Sequence, residues 1–263
     1  GVELYIYFEN HGVAEMIQIK KSLTIQKIST IIYNDHGFNK VFSGEKRYIL
    51  EFSVSIASSN LLCIKEELKR VGKWSSIHFD IEDGNFTPNI TFGLSLLKKM
   101  TEIVEPKKIM VHLMVTNPLY YLNELSLIGV GSVFAHIEAL AFPMAFLNRA
   151  RSLNLKAGLA FNISTPLTYV KPFVPLLDAV LIMTSEHDEA GENLWLPALD
   201  KVKEAVDLLQ IPVWADGGLN DAAINNLYHV NAYGCVLGRH VFSSADPMGV
   251  LENLALRFGD FAE

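Results

Sequence analysis

From about Tyr48 onward, short runs rich in Val, Ile, Leu and Phe alternate with longer stretches in which apolar residues recur every three or four positions. The short runs predict strands over 49–55, 76–82, 109–114, 132–137, 157–161, 179–184, 212–216 and 234–238. Most lack strict polar alternation, which marks parallel strands buried on both faces. The longer stretches predict helices, among them 60–71, 94–104, 118–127, 196–209 and 247–258. In 196–209, Leu199, Val202, Val206 and Leu209 form a single apolar stripe, as a helix packed on a sheet requires.

Eight strand–helix units in succession predict an α/β fold, a (β/α)8 TIM barrel, because right-handed βαβ crossovers close at that number. A doubly wound open sheet is the alternative, although no strand leads into G-x-G-x-x-G. Residues 1–47 stand outside the repeat. They carry β-prone stretches at 2–8, 16–19 and 23–33, broken at Asn10-His11-Gly12, Asn34-Asp35-His36-Gly37 and Gly44-Glu45. The expected organisation is a short, strand-rich N-terminal extension over 1–47 followed by a barrel over 48–263. The extension would cap the barrel's base, add an edge strand to a partner subunit, or form a leader without function.

Barrel enzymes carry their chemistry at the carboxyl ends of the strands. Here Ser55 ends the first strand, and His78, Asp80 and Glu82 end the second. His112 and Met114 end the third, and His136 and Glu138 the fourth. Met183, Asp216, and Gly238 with Arg239 end the sixth, seventh and eighth. His78, Asp80 and Glu82 share parity and point to one face. A lone H-x-D pair is ordinary. Two imidazoles, His78 and His112, with two carboxylates, Asp80 and Asp216, make a credible site for one divalent metal. Such ligands suit zinc, iron, manganese or cobalt rather than calcium.

Composition removes several classes. Half of the 263 residues are hydrophobic and 19% are charged, which excludes disorder. Lys and Arg total 22 against 29 Asp and Glu, a net charge of −7, and no long basic cluster offers a nucleic-acid face. No apolar run approaches the ~18–20 residues of a membrane span, and no signal peptide is expected at the N-terminus. Cys63 and Cys235 lack CxxC spacing, so a reducing, cytoplasmic setting is expected.

The run from Ile77 to Gly93, H-x-D-x-x-D-G-x-F-x-P-N-I-T-F-G from His78, strongly resembles the ribulose-phosphate 3-epimerase family. The same order continues through Val111-His112-Leu113-Met114, His136-Ile137-Glu138-Ala139, Leu181-Ile182-Met183-Thr184 and Ala215-Asp216-Gly217-Gly218. The resemblance covers about Ile49 to Pro247 and implies a (β/α)8 barrel that inverts the carbon beside a ketone in a sugar phosphate. It implies a metal on His78, Asp80, His112 and Asp216, and Asp80 and Asp216 as the two proton-transfer groups acting through an enediolate. It also implies Ser55 as a hydrogen-bonding site residue and Met114 and Met183 as side chains packed over the intermediate. Gly217 and Gly218 offer backbone amides to phosphate, beside Gly238 and Arg239. A homo-oligomer is expected, with a sugar or sugar phosphate as the small-molecule partner.

Three segments depart from the family pattern. His187-Asp188-Glu189-Ala190-Gly191-Glu192 stands in place of a glycine-rich phosphate loop. Gly238-Arg239-His240 replaces a small-residue segment, and Glu82 replaces a methionine. Carboxylates near the phosphate end oppose a dianion, whereas Arg239 offers it a bidentate fork. The expectation is epimerase chemistry on a ketose phosphate, with a different or non-phosphorylated ketose as the alternative. A non-catalytic ligand-binding barrel and a sugar-phosphate decarboxylase or synthase are the competing classes. The decarboxylase array needs a lysine that His78–Asp83 lacks.

Overall fold

A computed structural model describes the backbone of residues 4–10 and 13–19, and residues 49–72, 76–186 and 193–259. The chain divides into two compact units, Gly1–Arg47 and Tyr48–Glu263. In the first, β1 (Leu4–Asn10) and β2 (Val13–Ile19) pair antiparallel, with Asn10 opposite Val13. The β-prone stretch 23–33 lies outside the described residues.

The second unit holds eight parallel strands: β3 (Glu51–Ser55), β4 (Ile77–Glu82), β5 (Ile109–Met114), β6 (Ser132–His136), β7 (Lys156–Phe161), β8 (Ala179–Met183), β9 (Val213–Asp216) and β10 (Gly234–Leu237). Each pairs with the next, and β10 returns to β3, so the sheet closes into a barrel with no free edge. The (β/α)8 TIM-barrel expectation is met, and the open doubly wound sheet is excluded.

The crossovers carry α1 (Ile64–Arg70), α2 (Leu94–Met100), α3 (Leu122–Ile128), α4 (Pro143–Ser152), α5 (Pro197–Leu209), α6 (Asp221–His229), the single turn α7 (Arg239–Phe242) and α8 (Pro247–Phe258). The predicted helices at 60–71 and 118–127 each begin as a 3-10 turn, Leu61–Cys63 and Pro118–Tyr121, before α1 and α3. The predicted 94–104 helix ends at Met100. After β7 the chain forms two 3-10 segments, Leu167–Tyr169 and Lys171–Leu176. Pro172 and Pro175 there withdraw amide donors that an α-helix would need. Among the described residues, no helix is long and apolar enough to cross a membrane.

Strand parity divides the interior into two parts. Ile77, Phe79, Ile81, Val111, Leu113, Val180 and Ile182 face outward into the main core beneath the helices. Met110, Phe134, Ala160, Leu181, Trp214 and Val236 face inward and plug the barrel. Gly158 admits the Phe134 ring, since a Cβ at 158 would stand 2.3 Å from it. One step further along the inward parity, toward the carboxyl ends, the plug gives way to His78, Asp80, His112 and His136, all buried. Both faces of a strand are therefore covered, and the inward polar residues are the ones that packing alone does not explain.

Candidate active site

Strand register brings the polar residues together. Ser55 lies beside His78, Asp80 beside His112, Glu82 beside Met114, and Met183 beside Asp216. A cavity of about 940 Å³ opens above them. It is lined by Ser55, Ser58, Asp80, Glu82, Asn89, Met114, Met183, Asp216, Gly217, Gly218, Gly238 and Arg239, among others. His78 and His112 pair with the lining residues Ser55 and Asp80 and are fully buried. The His187–Glu192 segment lies outside the described residues.

One donor atom from each of His78, Asp80, His112 and Asp216 lies within 4.8 Å of every other. His78 Nε2 is 3.0 Å from Asp80 Oδ1 and 3.3 Å from Asp216 Oδ2. His112 Nδ1 is 3.3 Å from Asp80 Oδ1 and 3.6 Å from Asp216 Oδ2. Metal–ligand bonds of ~2.1 Å separate neighbouring donors by roughly 3.0 Å at a right angle and roughly 3.4 Å at a tetrahedral one. The four measured separations span those values. His78 Nε2 is buried and, despite its two carboxylate neighbours, makes no hydrogen bond. Its Nδ1 lies 3.3 Å from Met110 Sδ. A buried ring nitrogen with no hydrogen bond needs another partner, and a cation between it and the carboxylates supplies one. The residues present therefore fit a divalent metal.

Burial opposes a charge on His78, but the Asp80 and Asp216 carboxylates overcome it and raise its pKa to about 10. Burial also works against ionised Asp216, yet the His78 charge and contacts to His112 and His78 lower its pKa to about 2. Asp80 is likewise held well below the usual carboxylate range, against burial, by the charge of His78 and by its contacts with His112 and His78. Both carboxylates are held ionised in a buried place by the positive charge of His78.

The loops hold this arrangement in place. Ser55 Oγ donates to Asp80 Oδ2 at 2.7 Å. After β4 the chain turns at Gly84, whose φ of +72° favours glycine. Asp83 Oδ1 accepts the amides of Asn85 and Phe86, both at 2.9 Å, and Asp83 Oδ2 accepts the Thr116 amide and hydroxyl. Thr91 returns beneath the strand end, donating to the Asp80 carbonyl and accepting the Glu82 amide. On the far side, Thr184 Oγ1 donates to the Gly217 carbonyl at 2.6 Å, pinning the strand end that carries Asp216. Gly217 takes a φ of +121°, and a Cβ there would strike Ser185 Oγ at 2.2 Å.

Strand-end reasoning from sequence left His136 and Glu138 without a role. His136 Nε2 lies 2.9 Å from His112 Nε2, and His136 Nδ1 lies 3.1 Å from Glu138 Oε2. Glu138 Oε1 accepts the Asn162 amide and the Thr165 hydroxyl. Burial opposes its charge, but these donors, His136 foremost, lower its pKa to about 2. The available sequence signal was parity, because His136 faces inward like His112.

A closed barrel whose mouth gathers two imidazoles and two ionised carboxylates about one point has the layout of an enzyme, with its chemistry at the carboxyl ends of the strands. The chain belongs to the ribulose-phosphate 3-epimerase family, whose model matches residues 51–242. It is accordingly an isomerase of the epimerase type. It is 27% identical over 213 residues to ribulose-phosphate 3-epimerase of Methanocaldococcus jannaschii, covering 78% of this chain and 90% of that protein. It is 30% identical over 199 residues to the enzyme of the same name from Synechocystis sp., covering 72% and 86%. Among solved structures, KGPDC from Streptococcus mutans superposes with a TM-score of 0.61 at 15% identity, covering 80% of this chain and 99% of that one. That likeness concerns the barrel fold.

Proposed function

We propose that this protein is a metal-dependent ketose-phosphate 3-epimerase that inverts the carbon beside the ketone by two-base proton transfer through an enediolate. One observation carries the reading: two ionised carboxylates, Asp80 on β4 and Asp216 on β9, meet at the same pair of imidazoles in the barrel mouth. Inversion needs two groups, since a single base returns the proton to the face it left. Asp80 and Asp216 stand on strands separated by β3 and β10 around the barrel, so they reach a substrate from different sides.

His78, Asp80, His112 and Asp216 would hold the metal, with zinc, iron, manganese and cobalt as the candidates. When bound, it supplies Lewis-acid stabilisation to the negative charge that develops on the substrate oxygens. One aspartate takes the proton from the carbon, and the other picks up a proton from solvent and delivers it to the opposite face. Ser55 fixes the Asp80 carboxylate through Oδ2. Met114 and Met183, nearly fully buried at the cavity wall, exclude water from the reacting carbon. Gly217, Gly218, Gly238 and Arg239 line the same cavity and supply amides and a guanidinium for a phosphate. Glu82 places a further carboxylate beside Met114, where it would read a sugar hydroxyl.

Solvent proton exchange in D2O tests the reading across ketose phosphates and free ketoses, with the metal-stripped protein and with Zn²⁺, Mn²⁺, Fe²⁺ or Co²⁺ restored. Deuterium should enter at the carbon beside the carbonyl, with phosphorylated ketoses preferred and the stripped protein inactive. Absence of exchange into every ketose, with metal bound, would refute the function.

A further inference from the structure

We propose that Glu138 and His136 are positioning residues that set the tautomer of His112, so that His112 presents a bare Nδ1 to a metal. This rests on the metal site of the preceding section and assigns a role to two residues outside it. The partners fix each proton in turn. Glu138 Oε1 is committed to the Asn162 amide and the Thr165 hydroxyl, so Oε2 faces His136 Nδ1 at 3.1 Å. A carboxylate only accepts, so His136 carries its proton on Nδ1. Its Nε2 is then an acceptor, and the nitrogen 2.9 Å away, His112 Nε2, must donate. A neutral His112 with its proton on Nε2 has a lone pair on Nδ1.

That Nδ1 points at Asp80 Oδ1 and Asp216 Oδ2, at 3.3 and 3.6 Å. Both distances exceed the ~2.7–2.9 Å of a hydrogen bond between charged groups. The 3.3 Å contact is still a hydrogen bond when Nδ1 carries a proton, so Asp80 competes for that proton until a cation between the two takes its place and Nδ1 becomes a ligand. The relay thus runs from an anchored carboxylate through two imidazoles, and its length is two rings rather than the usual one. The 21° angle and 5.0 Å separation between the His112 and His136 rings keep them nearly parallel. Phe86 packs against His136 with ring centroids 4.8 Å apart, which limits rotation of that ring.

The relay makes an unusual prediction for Glu138→Gln. The amide oxygen would take over the Asn162 and Thr165 bonds, leaving the amide nitrogen to face His136 Nδ1. Donor would then meet donor, and relief would come by moving the His136 proton to Nε2. His112 Nε2 would then have to accept, and its own proton would move to Nδ1, where a metal should bind. Glu138→Ala reverses nothing, because water can accept from His136 Nδ1. The isosteric variant should therefore harm metal binding more than the truncated one, opposite to the order of a merely structural role.

The test is Zn²⁺ affinity, measured by competition with a chromophoric chelator, together with ring-nitrogen NMR and melting of the metal-free proteins. Glu138→Gln should bind Zn²⁺ about 10–100-fold more weakly than wild type. Glu138→Ala should lose less affinity while melting lower than Glu138→Gln. Metal-free wild type should carry a proton on His112 Nε2, and Glu138→Gln should not. An unprotonated His112 Nε2 in wild type overturns the inference without recourse to any variant. So does Zn²⁺ affinity within twofold of wild type in Glu138→Gln, or a greater loss in Glu138→Ala. In those cases normal Zn²⁺ binding by wild type leaves the metal site standing, whereas no Zn²⁺ binding by wild type overturns both.

Discussion

Ser55 Oγ donates to one oxygen of Asp80 while the other oxygen of the same carboxylate faces His78 and His112, so a single side chain is divided between two jobs. The hydroxyl holds Oδ2 and leaves Oδ1 to the imidazoles. A hydrogen bond to a charged group is worth ~1.5–3 kcal/mol. Ser55→Ala should therefore lower kcat by roughly 10–100-fold, with a smaller change in the affinity for substrate. Steady-state kinetics on a ketose phosphate checks this, and an unchanged kcat would remove Ser55 from the proton-transfer apparatus.

Asp80 and Asp216 approach from separate strands, so each should serve one face of the substrate. Asp80→Asn and Asp216→Asn should each reduce turnover by about 10²–10⁴-fold. Each variant should still exchange solvent deuterium into one epimer of the substrate pair and not into the other, with opposite preferences in the two variants. Metal content measured on the same samples separates loss of a base from loss of a ligand. Exchange into both epimers by either variant would contradict a two-base scheme.

Arg239 begins α7 directly after Gly238 and lines the cavity that Gly217 and Gly218 share. A guanidinium there would compensate the acidic surroundings if the substrate carries phosphate. Arg239→Gln should raise KM for a ketose phosphate about tenfold or more and leave a free ketose unaffected. The gap between wild type and variant should narrow as NaCl rises, because salt screens this attraction. A matching rise in KM for both substrate types would place Arg239 away from the phosphate.

Asp83 joins two loops of the mouth by accepting from Asn85, Phe86 and Thr116. Although burial acts in the opposite direction, these donors, Thr116 first, lower its pKa from 3.8. A depressed folded-state pKa means that the stabilisation is present above the unfolded value and is lost as pH falls below it. Wild type should therefore lose stability in urea as pH falls below about 4. Asp83→Asn turns an amide toward the Thr116 donors, so it should be less stable at pH 7 and lose less on acidification. Parallel urea curves for the two proteins across that pH range would count against the assignment.

Much of the barrel was legible because burial on both faces of a parallel strand leaves near-continuous apolar runs, and an inward polar residue interrupts such a run conspicuously. His78, Asp80 and His112 stand out for that reason. The crossover after β7 was harder to read, since Pro172 and Pro175 permit several short conformations and packing selects the two 3-10 turns.

The sequence alone determined the strand count, the parity of the inward residues and the family resemblance, since each depends on neighbours a few positions apart. Only the tertiary structure decided that Ser55 meets Asp80, that His78 Nε2 makes no hydrogen bond, and that His136 stands behind His112. Those relationships link residues on different strands. They depend on register and strand tilt around a closed barrel, where a shift of one residue would turn every inward side chain out.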